Sequence, residues 1–348
     1  MTRTVIFAIP GDLETRTGGY GYDRRLLAEL EALGWTVRHL ELPAGFPHPS
    51  EDEIAAATRL FGDIEDGSTV LVDGMAYSVL PALFEAEAKR LDVVALIHHP
   101  LSLETGLSVE RAETLAEEER QALRFARSII VTSPETARIL RRDFGVASDQ
   151  ITVALPGTDK QPIRSRQADV PAILSVGTLI PRKGHDILIE ALCSLKELSW
   201  TCRIIGGGDS DPAHAAELKV KISRAGLDDR IVLAGSVDGL ENEYASADIF
   251  ALATLYEGYG MVFAEALSHG LPIVGTTGGA VPDVVPQSAG LLVEPGDAAA
   301  LAVALRRTIG DPELRADLSA GARMAAEALP EWRDSALVVD EVLREGGQ

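Results

Sequence analysis

The chain has 348 residues, of which 46% are hydrophobic and 24% charged, as in an ordinary soluble globular protein. No apolar run approaches the ~20 residues that a membrane-spanning helix needs. The net charge of −21 argues against the basic face on which nucleic acid or an anionic membrane surface would bind. The length is that of two domains of ~150–180 residues each.

Short β-branched runs alternate with helical patterns along the whole chain. In the first half they predict strands at Val5–Ile9, Thr36–Leu40, Thr69–Val72, Val93–Ile97, Ile129–Thr132 and Ile151–Ala154. In the second half they predict strands at Ile173–Val176, Thr201–Ile205, Arg230–Leu233, Ile249–Ala253, Pro272–Gly275 and Gly290–Val293. Most are continuous apolar runs, which is typical of parallel strands covered on both faces.

Helices are predicted between the strands, among them Tyr22–Leu33, Arg111–Ala126, His185–Leu198, Ala298–Thr308 and Pro312–Ala328. This alternation indicates right-handed crossovers and a doubly wound α/β fold with two parallel sheets. We expect an N-terminal domain over residues 1–165 and a C-terminal domain over residues 166–330. Residues 331–348 form an amphipathic C-terminal helix, for which packing on the N-terminal domain is one option.

We expect the protein to be cytoplasmic and its cysteines to be free thiols. The N-terminal run Thr4–Gly11 reads as a short strand and a turn, too brief for a signal-peptide core. Cys193 lies on a predicted helix and Cys202 on the next strand. With no ligand partners nearby, both are expected to be buried free thiols.

One nine-residue segment carries two carboxylates eight residues apart, Glu257 and Glu265. The five residues that follow Glu257 are Gly258, Tyr259, Gly260, Met261 and Val262. We expect Glu257 in a loop and Glu265 about one turn into a helix, whose first N–H groups bind anions. A ligand with sugar, phosphate and sugar in a row fits this layout. Alternatively, Glu257 belongs to a turn and Glu265 to a solvated helix face.

Two strand ends in the first half are candidate ligand loops. Gly18 and Gly19 open the first helix and let a ligand approach the backbone closely, although the spacing is not the dinucleotide fingerprint and a flexible surface loop is the alternative. His98 directly follows the fourth strand, where it is a hydrogen-bond donor or charge stabiliser. The pair His98–His99 lacks metal-ligand spacing and no acidic partner is expected near it, so no metal is predicted.

In the second half, Gly177 ends a strand and Arg182-Lys183 directly precede a helix. Cations there oppose the helix dipole, which favours an anion clamp over a solvated pair. Further on, Asp209-Ser210-Asp211 matches a D-x-D metal motif, but helix capping is preferred because Pro212 follows. The glycine-rich run Thr276–Asp283 is either a diphosphate contact or a tight turn.

Taken together, these motifs resemble the retaining glycosyltransferases of family 4, the group 1 glycosyl transferases. The resemblance covers almost the whole chain and is strongest from Ile173 to Arg323. It is carried by the segments Val176–Gly184, Ile205–Gly208, Glu257–Ala266, Gly270–Val274, Gly278–Asp283 and Gly290–Val293. It implies the GT-B fold, in which two Rossmann-like doubly wound domains face each other across a cleft.

The resemblance also implies roles for the residues named above. Glu265 would hold the ribose hydroxyls of a nucleotide-sugar donor, and Glu257 with the amides near Gly258–Met261 would hold the donor sugar. Arg182 and Lys183 would neutralise the diphosphate, and His98 would contact the sugar near the reacting centre. The chain departs from the family at Thr178, where many members have Arg, and at Asp283, where Glu is more usual.

The implied activity is transfer of a hexose from a nucleoside-diphosphate sugar to an acceptor hydroxyl, without metal or cofactor. The acceptor attacks from the leaving-group face, so the configuration is retained. Alternatives are an epimerase or phosphorylase of this fold, or a non-catalytic two-lobed sugar-binding protein. The acceptor is a soluble or lipid-linked sugar or a small molecule, recognised by the loops Leu13–Tyr22, Phe46–Pro49 and Leu101–Gly106. The donor base and sugar, the linkage, the oligomeric state and peripheral membrane association stay open.

Overall fold

The computed structural model describes residues 3–162 and 170–346. The chain divides into two compact units, one comprising Met1–Gly157 with Pro330–Gln348 and the other Thr158–Leu329. The predicted boundary at 165/166 lies outside the described residues. Among the helices of the described part, none is long and apolar enough to span a bilayer.

The first unit contains a six-stranded parallel sheet with the order β2-β1-β3-β4-β5-β6. Its strands are β1 (Arg3–Pro10), β2 (Trp35–Leu42), β3 (Thr69–Asp73), β4 (Asp92–Ile97), β5 (Ser128–Val131) and β6 (Ile151–Val153). Its helices are α1 (Gly18–Ala32), α2 (Glu51–Gly62), α3 (Gly74–Tyr77), α4 (Pro81–Glu87), α5 (Val109–Ala122), α6 (Pro134–Asp143) and, at the C-terminus, α14 (Trp332–Glu345). Single 3-10 turns lie at Leu101–Leu103, Leu123–Phe125 and Ser148–Gln150.

The second unit contains a six-stranded parallel sheet with the order β12-β11-β10-β7-β8-β9. Its strands are β7 (Ala172–Val176), β8 (Thr201–Ile205), β9 (Ile231–Leu233), β10 (Ile249–Leu252), β11 (Ile273–Thr276) and β12 (Gly290–Val293). Its helices are α7 (His185–Cys193), α8 (Pro212–Arg224), α9 (Leu240–Ala245), α10 (Met261–Ser268), α11 (Val281–Val284), α12 (Ala298–Gly310) and α13 (Pro312–Glu327). A 3-10 turn at Pro181–Lys183 precedes α7.

The predicted fold class is confirmed, since each of the twelve predicted strands is present and each sheet is parallel. The central strands are covered on both faces: β4 buries Val93–Ile97 and β10 buries Ile249–Leu252. In each sheet the strand order reverses once, between β1 and β3 and between β7 and β10. Ligands of open α/β sheets bind beyond the carboxyl ends of the strands at such switch points.

The C-terminal helix α14 packs on α1 of the first unit. Trp332 is buried and its ring meets the Tyr22 ring at a centroid distance of 5.8 Å. Asp340 accepts a hydrogen bond of 2.8 Å from the Trp35 indole and pairs with Arg3 at 3.1 Å. The last helix of the chain therefore completes the unit in which the chain begins.

Some helix bounds differ from the predicted ones. Helix α1 begins at Gly18 rather than Tyr22, so that the two glycines belong to its first turn. Helix α7 ends at Cys193 rather than Leu198, and the following turn is closed by the Trp200 indole, which donates to the Leu195 carbonyl at 2.8 Å. The free thiols are confirmed, with Cys202 buried and Cys193 only partly buried.

Candidate functional site

The second unit brings the basic pair and the first glutamate together at its switch point. Lys183, in the turn after β7, donates from Nζ to both carboxylate oxygens of Glu257 at 2.7 and 2.9 Å. Glu257 lies in the loop after β10, as predicted. Arg182 is 3.9 Å from the same carboxylate and donates to the Tyr256 carbonyl at 3.0 Å. Two residues predicted to bind different parts of a ligand are thus each other's partners.

The charge of this cluster is fixed by its surroundings. Burial opposes ionisation of Glu257, but the cations Lys183 and Arg182 outweigh burial and lower the pKa of the carboxyl. The Lys183 and Glu257 side chains are 14% and 7% exposed, so the pair is weakly screened by water. With one carboxylate and two cations, the cluster carries a formal charge of +1 and attracts an anion.

Close backbone contacts hold the Glu257 loop in place. The Leu255 N–H donates to the Arg182 carbonyl at 2.7 Å, and the Ala280 N–H donates to the Glu257 carbonyl at 2.9 Å. A Cβ at Gly278 would lie 2.6 Å from the Leu255 carbonyl oxygen, and one at Gly279 only 2.2 Å from that of Glu257. The glycine-rich run Thr276–Asp283 is therefore a tight turn that supports the loop, and its contact with a diphosphate stays a prediction.

Gly177 lies beside the basic pair and its carbonyl is held by a buried histidine. His185 Nε2 is 3.0 Å from that carbonyl, and its Nδ1 is 3.4 Å from Ser175 Oγ. Burial lowers the pKa of His185 to about 4, so the ring is neutral and structural at neutral pH. A Cβ at Gly206 would lie 1.8 Å from the same carbonyl oxygen, which explains the glycine at the end of β8.

The helix after the Glu257 loop begins as predicted. Gly260 is its N-cap in the left-handed region with φ +93°, and α10 starts at Met261. The first N–H groups, including that of Val262, have no acceptor within the helix. Tyr259 is buried, which raises the pKa of its phenol to about 12, whereas Gly258 is half-buried.

Glu265 lies one turn into α10 and has a partner that sequence reasoning missed. Its Oε2 accepts a hydrogen bond of 2.8 Å from the Tyr244 hydroxyl, and the same hydroxyl is 3.2 Å from the Val262 carbonyl. Burial raises the pKa of Glu265, against the effect of the Tyr244 hydrogen bond. Tyr244 therefore fixes one oxygen of the Glu265 carboxylate.

In the first unit, His98 follows β4 and is flanked by two buried carboxylates. Its Nε2 lies 3.2 Å from Asp23 Oδ1 on α1 and 3.4 Å from Asp73 Oδ2 at the end of β3. The expectation that no acidic residue lies near the histidine pair is therefore wrong. His99 is likewise 3.2 Å from Glu104. Neither aspartate could be connected to His98 from sequence, because the contacts depend on how α1 and β3 pack beside β4.

The carboxylates determine the protonation of His98. Burial disfavours the charged ring, but Asp23 and Asp73 outweigh it and raise the pKa of His98 to about 10. Burial raises the pKa of Asp23 to about 6, and His98 acts in the opposite direction. At neutral pH the ring is thus an imidazolium that faces both aspartates.

Gly19 packs against this ring. A Cβ at that position would lie 3.6 Å from His98 Cδ2, while Gly18 is exposed on the same turn. The two clusters, one around His98 and Gly19 and the other around Lys183 and Glu257, belong to different units.

A pH-dependent stability follows from His98. Because its folded pKa of about 10 exceeds the ordinary value of ~6.5, its stabilising contribution is complete below pH ~6.5 and is lost as the pH rises toward 10. The wild-type free energy of unfolding should fall by about 1.4 kcal/mol per pH unit more steeply than that of His98→Gln between pH 7.5 and 9. Urea unfolding of both proteins at several pH values measures this, and equal slopes would contradict it.

The same three side chains are the one described group of at least three His, Cys, Asp or Glu residues with metal-binding spacing, their ligand atoms lying within 4.8 Å of one another. A protonated ring nitrogen cannot ligate a metal. The raised pKa of His98 therefore favours the ion-paired imidazolium over a metal complex at neutral pH.

The Asp209–Asp211 run caps a helix, as preferred from sequence. Asp211 is the N-cap of α8 and accepts from the His214 N–H at 2.9 Å. Asp211→Ala should therefore lower the free energy of unfolding by about 1 kcal/mol, while Asp209→Ala leaves it unchanged. Chemical denaturation with and without Mg²⁺ tests this, and an effect of Mg²⁺ on wild type that both variants lose would favour the D-x-D reading.

Comparison with known proteins shows similarity to glycosyltransferases. Residues 170–311 match the family model described as "Glycosyl transferases group 1". The D-inositol 3-phosphate glycosyltransferase of Xylanimonas cellulosilytica is 30% identical over 244 residues, covering 64% of this chain and 58% of that protein. The MMP alpha-(1->4)-mannosyltransferase of Mycolicibacterium hassiacum is 26% identical over 84% of this chain and 74% of its own.

Solved structures share the fold at low sequence identity. Sucrose-phosphate synthase from Thermosynechococcus elongatus has a TM-score of 0.84 at 23% identity, covering 99% of this chain and 98% of its own. Anabaena Alr3699/HepE in complex with UDP-glucose has a TM-score of 0.79 at 18% identity, covering 98% and 99%.

The two six-stranded parallel sheets and these structural neighbours define the fold as GT-B. Within the second unit, residues 170–311 are similar to the group 1 glycosyl transferases. The chain aligns with only 58% of the length of the inositol-phosphate relative.

Proposed function

We propose that the protein is a retaining glycosyltransferase of family 4 that moves a hexose from a nucleoside-diphosphate sugar to an acceptor hydroxyl. It uses neither metal nor cofactor. The observation that carries the proposal is the buried Lys183–Glu257 pair, with Arg182 beside it, at the switch point of the second sheet. A cytoplasmic location and a soluble or lipid-linked acceptor belong to the proposal and rest on sequence composition.

The basic pair suits the leaving group. Breaking the anomeric C–O bond leaves an oxocarbenium-like sugar and a nucleoside diphosphate with additional negative charge. Lys183 and Arg182 are held by Glu257 and the Tyr256 carbonyl, so they need little reorganisation to stabilise that charge. Without a metal, these two side chains and the N-terminus of α10 supply the positive charge at the diphosphate.

The carboxylates suit hydroxyl groups. Glu257, kept ionised by Lys183, accepts hydrogen bonds from the donor sugar, together with the amides from Gly258 to Val262. Glu265, oriented by Tyr244, accepts from the ribose. Gly177 leaves room at the diphosphate, and His98 with Gly18 and Gly19 is assigned to the sugar.

The acceptor hydroxyl attacks the anomeric carbon from the leaving-group face as the C–O bond breaks, and its proton passes to a diphosphate oxygen. No carboxylate nucleophile is needed, unlike in the retaining hydrolases. The products are the glycosylated acceptor and the nucleoside diphosphate, with the configuration retained. The relatives' names as glycosyltransferases and the UDP-glucose complex of the structural neighbour support a nucleotide-sugar donor.

A panel of nucleotide sugars in a thermal-shift assay, followed by incubation with the labelled donor that binds, tests the proposal. We expect at least one nucleoside-diphosphate hexose to raise the melting temperature, and its label to move only when an acceptor is supplied. Conversion of the donor without an acceptor would instead indicate an epimerase. A sugar that binds without ever being transferred or hydrolysed would indicate a non-catalytic binding protein.

A further inference from the structure

The carboxylates around His98 differ in how they meet its ring. Asp23 Oδ1 is within hydrogen-bond distance of Nε2, at 3.2 Å. Asp73 Oδ2 lies 3.4 Å from the same nitrogen but has no hydrogen-bond partner among the described residues. Both aspartates are 1% exposed. A single ring N–H cannot point at both oxygens, and Asp23 Oδ2 also lacks a partner among the described residues, so two carboxylate oxygens are buried without a donor.

A buried carboxylate oxygen without a hydrogen bond needs a positive charge nearby. The imidazolium form of His98 supplies that charge to both aspartates at once. A neutral ring would leave Asp73 Oδ2 without hydrogen bond or counter-charge. The arrangement therefore stabilises the protonated ring, in agreement with the direction of its pKa shift.

We propose, building on the glycosyltransferase function above, that Asp23 and Asp73 are positioning residues that hold His98 as an imidazolium and present its Nδ1–H to the substrate. Both carboxylates engage Nε2, and no described residue hydrogen-bonds to Nδ1. The His98 side chain is 20% exposed. Nδ1–H is thus the donor left for a hydroxyl of the donor sugar.

The ring is also fixed by its other neighbours. The Tyr22 ring meets it edge-on at a centroid distance of 5.4 Å and an angle of 84°, and burial keeps the pKa of Tyr22 far above neutral pH. At the two aspartates, Tyr20 and Arg24 act electrostatically. The hydroxyls of Thr132 and Thr136 hold the His98 carbonyl at 3.2 and 3.4 Å. The charged or titratable groups that face the His98 ring or its two aspartates are therefore few. They are Asp23, Asp73, Tyr20, Tyr22 and Arg24.

The charge of the cluster formed by His98, Asp23 and Asp73 suits the sugar rather than the leaving group. With one imidazolium and two carboxylates its formal charge is −1, opposite in sign to that of the Lys183–Arg182–Glu257 cluster. A negative cluster stabilises the positive charge that develops on an oxocarbenium-like sugar. A neutral imidazole would give a charge of −2 but would also leave the buried carboxylates unpaired.

Nuclear magnetic resonance of ring-labelled histidine tests the protonation state without any substrate. The signal missing in His98→Gln identifies the residue. We expect the wild-type ring to stay an imidazolium up to pH 9, and Asp23→Asn and Asp73→Asn each to move its midpoint down by about one unit or more toward ~6.5. A wild-type ring that is neutral at pH 7.5 would overturn the proposal, even if the enzyme transfers sugar.

The activity test uses kcat/KM against pH between 6 and 9, with the nucleotide sugar that gives the highest turnover. The two variants should lose more activity at pH 8.5 than at pH 6, by the factor by which their imidazolium fraction, measured by resonance, falls between these pH values. A merely structural role would lower activity equally at all pH values and would contradict the proposal.

The matched control for the activity test is Asp92→Asn. Asp92 is a partly buried aspartate at the opposite end of β4 that pairs with Arg127, and its variant should keep the wild-type pH profile. Loss of wild-type activity on treatment with EDTA would instead mean that the three side chains hold a metal. If no donor is transferred, the proposed glycosyltransferase function is wrong. The resonance experiment still decides whether the two aspartates hold His98 as an imidazolium.

Discussion

Replacing Lys183 by alanine is expected to lower donor turnover by about 10²–10³-fold, as the loss of one preorganised charge at a developing anion does. Lys183 is the one described cation that hydrogen-bonds to both oxygens of Glu257. Its removal takes away charge at the diphosphate and also frees the carboxylate to repel it. Steady-state kinetics with a saturating nucleotide sugar measures the effect.

Glu265→Ala should reduce turnover comparably, because under the proposed function the ribose would lose its acceptor, and the Tyr244 hydroxyl loses its partner. The control for both variants is Lys221→Ala. This lysine is half-buried and pairs with the exposed Glu190 at 3.0 Å, so its removal costs little. Near-normal turnover in Lys183→Ala and Glu265→Ala, in proteins that melt cooperatively, would show that the site lies elsewhere.

Gly184→Ala is expected to destabilise the protein more than Gly226→Ala by about 3 kcal/mol or more. Both glycines are left-handed, with φ of +63° and +62°, and alanine at either one pays about 1 kcal/mol for that conformation. Only at Gly184 would the new Cβ clash, lying 2.0 Å from the Ala253 carbonyl oxygen, whereas Gly226 has open space. Because that cost is common to both variants, overpacking against backbone at Gly184 accounts for the whole difference.

The comparison of Gly184→Ala with Gly226→Ala isolates the clash because both positions have the same left-handed backbone conformation. Urea unfolding of both variants isolates the clash, and equal losses of stability would contradict the close contact. Since Gly184 follows Lys183 and Ala253 precedes the loop of Glu257, relief of the clash would separate the ion pair. Gly184→Ala should therefore also lose turnover, whereas Gly226→Ala keeps it.

The strands were predictable because a buried parallel strand must be apolar on both faces, which leaves a pattern in the sequence itself. The same holds for local features: the helix start after Gly260, its distance from Glu257 and the cap at Asp211 all depend on residues close in sequence. These features were read correctly without tertiary information.

Contacts between distant residues were not predictable. The Lys183–Glu257 pair joins residues 74 apart, and the Asp23–His98 pair joins residues 75 apart. Charges of opposite sign are common in any sequence, and only the strand order determines which of them meet. For that reason the aspartates beside His98 were missed, and the contact between Lys183 and Glu257 was not predicted. Tyr244, which orients Glu265, left no signal in the sequence.

The central claim is retaining transfer from a nucleoside-diphosphate sugar, and the anomeric configuration of the product tests it most directly. The protein is incubated with a ¹³C-labelled α-linked nucleotide hexose and a set of inositol, sugar-phosphate and lipid-linked acceptors, and the new linkage is followed by nuclear magnetic resonance. We predict an α-linked product together with one equivalent of nucleoside diphosphate, formed by wild type and Lys221→Ala but not by Lys183→Ala. A β-linked product, or a donor altered without an acceptor, would contradict the account.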